Sequence, residues 1–149
     1  MNSVCMISFC YMFLLESGYS EKVHESRAKV CLSVASEAVS QSVDPMLAVA
    51  VAHVESRFDK RAVSSAGAVG PLQVLTKFWC KNKRCNLVEA GVRALNTYVS
   101  KYGEKEGLCR YVSGKPCKGH RARRKYRDKV LEVRAEMDEL HSSLCVEGC

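Results

Sequence analysis

Apolar positions recur at helical spacing along most of the chain and nowhere alternate in the two-residue period of a half-buried strand. Over 21–40, Val23, Val30, Leu32, Val34, Ala35 and Ala38 mark an amphipathic helix. Asp44 followed by Pro45 is a start signal: a side chain able to cap, then a residue whose missing N–H has no intrahelical partner to lose. The run over 46–54 is apolar nearly all round, which predicts a helix enclosed on every side. Polar residues return at His53, Glu55 and Ser56. After a loop of small residues, Pro71 predicts a short helix through Leu72, Gln73, Val74 and Leu75. Asn86 opens another to about Tyr102, with Val88, Val92, Leu95 and Val99 on one stripe and Gly103 as its stop. Residues 107–119 read as loop. Residues 121–140 read as a last helix, apolar at Tyr126, Val130, Leu131, Val133 and Met137. The expected fold is mostly α, built around the 46–54 helix.

Length and composition narrow this to one domain. A chain of 149 residues with 47% apolar content can bury a single core. Residues 21–141 are expected to form it, preceded by 1–20 and followed by a cysteine-containing tail, 142–149. The segment from Met1 to Leu15 is almost wholly apolar and uncharged. It is short for a membrane span, which needs about twenty residues, and has the length of an export signal's apolar region, with Gly18 and Ser20 as a small-x-small cleavage site. It lacks a basic start, and a buried N-terminal segment or a short anchor is the alternative. The nine cysteines include no C-x2-C pair. Cys80 with Cys85, and Cys109 with Cys117, bracket short loops, so they read either as local disulfides of an oxidising compartment or as free thiols. A net charge of +7 favours anionic partners without choosing among nucleic acid, membrane and cell wall.

One acid stands out. Cleaving a glycosidic bond requires a carboxylic acid still protonated near neutral pH. Glu55 follows an apolar run at the C-terminal end of its helix, where burial and the helix dipole both disfavour the anion. The small residues over 64–71 let backbone approach a bulky ligand. By itself the same pattern also describes a buried helix meeting solvent.

The stretch V-D-P-M-L-A-V-A-V-A-H-V-E-S-R-F-D-K-R-A-V-S-S-A-G-A-V-G-P-L-Q-V-L, residues 43–75, resembles the core signature of lytic transglycosylases of the soluble-transglycosylase type, relatives of goose-type lysozyme. A buried helix ending in Glu-Ser, an aspartate-containing turn, an A-x-S-x-x-G-A-x-G loop and a Leu-Gln segment follow in order. Ala90, Gly91 and Leu95 supply the A-G-x-x-x-L pattern of the family's next helix. Cys109-Arg-Tyr-Val-Ser-Gly114 falls where the family has Tyr-Asn-x-Gly, and the helix containing Tyr126, Val130 and Leu131 resembles its closing helix. The likeness covers roughly 22–135. Val112 in place of the motif Asn, Leu75 in place of a common Met, Pro71 and the two cysteine-bearing loops depart from the pattern.

The resemblance implies a lysozyme-like domain with a substrate cleft and a muramidase acting on peptidoglycan glycan strands. Glu55 would be the sole acid/base at the bond between N-acetylmuramic acid and N-acetylglucosamine, giving 1,6-anhydromuramoyl ends. It implies substrate contacts by Ser64, near an acetamido group, and by Gln73, and a Tyr111 hydroxyl near Glu55. Asp59 reads as a turn residue, and neither it nor Glu89 sits where a nucleophile would. No cofactor is expected, and the scattered His24, His53, His120 and His141 suggest no metal. A hydrolytic lysozyme outcome is the alternative on the same scaffold. The basic run over 115–129 (Lys115, Lys118, Arg121, Arg123, Arg124, Lys125, Arg127 and Lys129, against Asp128) reads as a solvated face that also contacts the anionic wall. The rival classes are a nucleic-acid module, for which the run has one aromatic and no recognition motif, and a wall-binding scaffold without catalysis. A monomer is expected, exported to the periplasm or wall or delivered by a phage particle.

Overall fold

The computed structural model describes residues 3–82 and 84–148, so Met1 and Asn2 of the first segment and Cys149 of the tail lie outside the described residues. Among the described residues seven helices follow one another: α1 (Ser3–Glu16), α2 (Glu21–Ser40), α3 (Pro45–Ser56), α4 (Thr76–Trp79), α5 (Leu87–Tyr102), α6 (Glu104–Ser113) and α7 (Arg121–Gly148). Among the described residues the only β pairing is two isolated bridges, Val63 with Val69 and Val69 with Val74.

α3 is the centre. Met46 through Ala52 are all buried, as a helix apolar on every side requires. Its start forms as the sequence predicts: the Asp44 side chain accepts the Met46 N–H at 2.9 Å, and Pro45 opens the first turn. α2 and α7 pack against it, α2 through Ala28, Val34, Ala35 and Ala38, α7 through Val130, Val133 and Met137. The apolar segment at the beginning of the chain forms α1, packed on α2 and α7. Phe9, Cys10 and Leu14 are fully enclosed there, and Cys10 is disulfide-bonded to Cys31 of α2. No helix among the described residues is long and apolar enough to cross a membrane.

Three sequence expectations change. Residues 71–74 are not helical: Val74 exchanges both backbone hydrogen bonds with Val69, and Gln73 takes φ +51° to turn the chain, so the short helix starts only at Thr76. The segment read as loop from 107 is helical to Ser113, because α6 starts directly after Gly103 and the loop is only 114–120. α7 runs on past Leu140 to Gly148, taking the tail into the helix as far as it is described. In the first two, packing overrides the local signal: pairing with Val69 displaces the helix that Pro71 announces, and contact with α5 keeps Gly107 from ending α6. Gly107 looks like a helix interruption, yet a Cβ there would lie 2.8 Å from the Val99 Cα and 2.9 Å from the Tyr98 carbonyl oxygen of α5. The glycine is what lets the α5–α6 hairpin close. Gly107→Ala is therefore expected to cost about 2–3 kcal/mol of stability, since backbone rather than a flexible side chain must yield. Urea unfolding with an unchanged midpoint would overturn this account of the hairpin.

Candidate active site

Glu55 sits in the last turn of α3, and the chain must reverse sharply beyond it. It does so through two non-glycine residues in the left-handed region, Arg57 at φ +53° and Phe58 at φ +62°, a conformation uncommon for bulky side chains. Three contacts hold the reversal. Phe58 is completely buried. The Ser56 hydroxyl donates to the Pro71 carbonyl at 2.7 Å and accepts the Asp59 N–H at 3.1 Å. From α2, Arg27 donates to the Arg57 carbonyl at 3.0 Å and lies 3.6 Å from the Asp59 carboxylate. Asp59 also accepts the Arg61 N–H at 2.9 Å, which makes it a turn residue. Ser56 thus ties the end of the acid's helix to the opposite loop, the physical reason a serine follows the glutamate.

The Glu55 side chain projects into a cleft of about 620 Å³. Ser64, Gln73 and Tyr111 line the same cleft, so the structure brings together all four residues singled out in the sequence. Their hydrogen bonds refine what each does. Ser64 Oγ accepts the Ala68 N–H at 3.0 Å and shapes the small-residue loop. Gln73 donates its amide N–H groups to the Ala62 and Gly70 carbonyls at 3.1 and 2.9 Å, bracing that loop from the other side. The Tyr111 hydroxyl donates to the Leu72 carbonyl rather than to the glutamate, although the two are in electrostatic reach. Leu72 packs against Gly91 of α5, where a Cβ would stand 2.5 Å from the leucine side chain. The A-G-x-x-x-L pattern is therefore a close-approach device that seats Leu72, and through it Tyr111.

The hydroxyl that meets Glu55 belongs to Tyr126 of α7, which donates to Oε1 at 2.7 Å. Sequence periodicity makes Tyr126 an apolar core position, and its hydroxyl was the signal that went unused: a tyrosine on a buried stripe needs a polar partner. Burial raises the Glu55 pKa to about 7, and the bond from Tyr126 opposes the shift without cancelling it. Two residues earlier, His53 points away from the cleft into an aromatic cluster. Its ring stands edge-on to Phe13 at 5.0 Å, and its Nδ1 is 3.0 Å from the Tyr19 hydroxyl. Burial holds it neutral, lowering its pKa to about 4, helped by the nearby Arg57 and Lys129 charges. Among the described residues, Glu55 is the only carboxylate lining the cleft. Chemically the site offers one protonated acid with an oriented second oxygen, against walls of small and aromatic residues.

The family model for the Transglycosylase SLT domain matches residues 33–129. The chain belongs to this family. The match runs from the middle of α2 to the start of α7 and so contains Glu55, the loop that follows it, Tyr111 and Tyr126. The mostly helical architecture agrees with a lysozyme-like SLT domain, and membership makes the protein a peptidoglycan lytic transglycosylase by family, which fits an extracellular or periplasmic role. No curated protein and no solved structure was found to match it.

Proposed function

We propose that the protein cleaves the β-1,4 bond between N-acetylmuramic acid and N-acetylglucosamine, with Glu55 as acid and then base, and leaves a 1,6-anhydromuramoyl end. The observation that carries this reading is a single cleft carboxyl with a pKa raised to about 7. Glycosidases that hydrolyse by the usual two routes use a pair of carboxylates. With one, no side-chain carboxylate of the cleft is left to act as nucleophile, and the C6 hydroxyl of the substrate takes that part. Tyr126 occupies Oε1, so the proton is carried by the other oxygen and directed to the glycosidic oxygen. The C1–O4 bond breaks as that proton transfers, and the leaving N-acetylglucosamine departs as an alcohol. The Glu55 carboxylate then takes the proton of the C6 hydroxyl as O6 bonds to C1. The acid is regenerated and no water is consumed. Ser64 and Gln73 support the reading as the residues that hold the loop facing the sugar, and Tyr111 as the wall beside the acid.

Delivery to the periplasm or cell wall, by export or by a phage particle, is part of the same proposal. The disulfides Cys10–Cys31, Cys80–Cys85 and Cys109–Cys117 support an oxidising destination. Part of the basic stretch over 115–129 has a structural task. Arg123 and Arg124 donate to the Pro116 and Cys117 carbonyls and Arg127 to the Cys117 Sγ, so these hold the 114–120 loop, while Arg127 also pairs with Asp128. The exposed Lys115, Lys118, Arg121 and Lys125 remain for anionic wall polymer.

Purified peptidoglycan digested by the protein, with the products read by mass spectrometry, tests the proposal. Anhydromuramoyl ends are expected. Reducing muramic acid ends would replace it with a hydrolytic lysozyme using the same acid, and no products from the folded protein would remove the catalytic reading. The rate is expected to fall about tenfold per pH unit above 7, as Glu55 loses its proton. A pH–rate profile flat to pH 9 would exclude Glu55 as the acid.

A further inference from the structure

Phe78 is an apolar side chain that the fold does not use. It is 68% exposed, belongs to no buried cluster, and lines the cleft that holds Glu55. Its backbone is nevertheless held from several directions. The next carbonyl, that of Trp79, accepts a guanidinium hydrogen bond from Arg93 of α5. The Trp79 ring stands edge-on to Tyr98 with centroids 5.9 Å apart. The Cys80 N–H bonds back to the Thr76 carbonyl at 2.9 Å, and the Cys80–Cys85 disulfide closes the loop that follows. An aromatic ring presented to solvent on an anchored ledge inside a cleft is placed for a ligand rather than for packing.

The ledge is also cationic. The Lys77 ammonium lies 4.8 Å from the Phe78 ring centroid, and the disulfide-closed loop carries Lys81 and Arg84, both exposed. The one acid of α5, Glu89, is already paired with Arg93. Aromatic and positive character therefore coincide on the ledge beside the cleft, and among the described residues no ion pair is formed by Lys77, Lys81 or Arg84. A glycan strand offers the matching pair. The C–H face of a pyranose packs on an aromatic ring, and each muramoyl residue carries a lactyl acid, either free as one carboxylate or amide-linked to a stem peptide with several.

The geometry points to a substrate subsite in which Phe78 stacks on a sugar of the strand while Lys77, Lys81 and Arg84 receive the carboxylates of its stem peptides. Peptide-bearing strands are then the preferred substrate over strands stripped of peptide. This rests on the glycan-cleaving reading of the same cleft and adds what that cleft selects.

The test uses the Glu55→Gln protein, which holds strands without turning them over, and compares soluble peptide-bearing glycan with the same material after amidase treatment. Lys77→Gln combined with Lys81→Gln and Arg84→Gln is expected to lower the ratio of affinities, peptide-bearing over stripped, about five-fold, a modest loss because the charges are exposed. Added salt should lower the ratio in the parent protein in the same direction. Phe78→Ala is expected to weaken both strands about ten-fold, the scale of losing one buried aromatic contact, with Phe78→Trp restoring it. All of these positions are exposed, so the core is untouched. A ratio that is the same in the triple variant and its parent overturns the peptide selection. Undiminished binding by Phe78→Ala overturns the stacking. Both results leave cleavage itself standing if the unsubstituted protein releases anhydromuramoyl products. Absence of products together with absence of strand binding overturns the function and this subsite at once.

Discussion

Glu55→Gln is expected to lower the rate of peptidoglycan cleavage by about 10³-fold or more, the scale on which a positioned proton donor contributes. The amide keeps the shape and can still accept from Tyr126, so the fold should persist while the transferable proton is gone. The same change carries a stability signature that an exposed glutamate would not. In the folded protein Glu55 holds its proton up to about pH 7, whereas an unfolded glutamate loses it near 4.5. Between those values the folded state binds more protons, so its stability falls as pH rises. Above pH 7 the full cost, about 3 kcal/mol, is in place. Glutamine removes it, so Glu55→Gln should be more stable than the unsubstituted protein at pH 8 and nearly equal to it at pH 4. His53 acts in the opposite sense: its folded pKa is depressed to about 4, so its contribution to stability falls as pH drops from 6.5 toward 4. The two slopes oppose each other in the unsubstituted protein, and only the His53 slope should remain in the glutamine variant. Urea unfolding across pH 4–8 reads both. Equal stability of the two proteins at pH 8 would mean that Glu55 is not desolvated.

Tyr126→Phe is expected to reduce cleavage about 30-fold, within the range for losing a hydrogen bond to an ionisable group. The substitution removes one oxygen from a half-buried side chain and leaves its ring against the core. Two effects follow from the lost bond. The carboxyl is free to rotate, so its proton is aimed correctly less often. Its pKa rises further, because the bond from Tyr126 is the one influence that lowers it. The alkaline limb of the pH–rate profile should therefore move to higher pH as the maximal rate drops. A lower rate with the limb unmoved would make Tyr126 a packing residue only. Tyr111→Phe, which loses a bond to the Leu72 carbonyl rather than to the acid, should leave that limb nearer its original position.

How far the chain's own pattern reached can be judged from particular elements. α2 was bounded by its apolar stripe, the start of α3 by Asp44 and Pro45, and α5 by the Asn86 cap, whose side chain accepts the Val88 and Glu89 N–H groups at 3.1 Å. These depend on residues a few positions apart, which interact whatever the rest of the chain does. Glu55 was legible for a related reason: an acid directly after an uninterrupted apolar helix has nowhere to go but its edge. The family signature then joined it to Ser64, Gln73 and Tyr111 in one cleft.

What depended on distant contacts was not legible. Gly107 in α6 reads as a breaker until α5 is in place, and Gln73 reads as helical until Val74 pairs with Val69. Tyr126 stands 71 positions from Glu55, and a stripe of apolar spacing does not say which tyrosine hydroxyl will find which carboxylate. Arg27, the Cys10–Cys31 bond and the exposed ring of Phe78 belong to the same class. The sequence by itself determined α2, α3 and α5 and the place of Glu55 at the end of the central helix, because short-range periodicity and capping chemistry are written in neighbouring residues. The tertiary structure alone decided which hydroxyl orients that acid, how strongly it is desolvated and what lines the cleft around it, because burial and long-range hydrogen bonding exist only once the helices have packed.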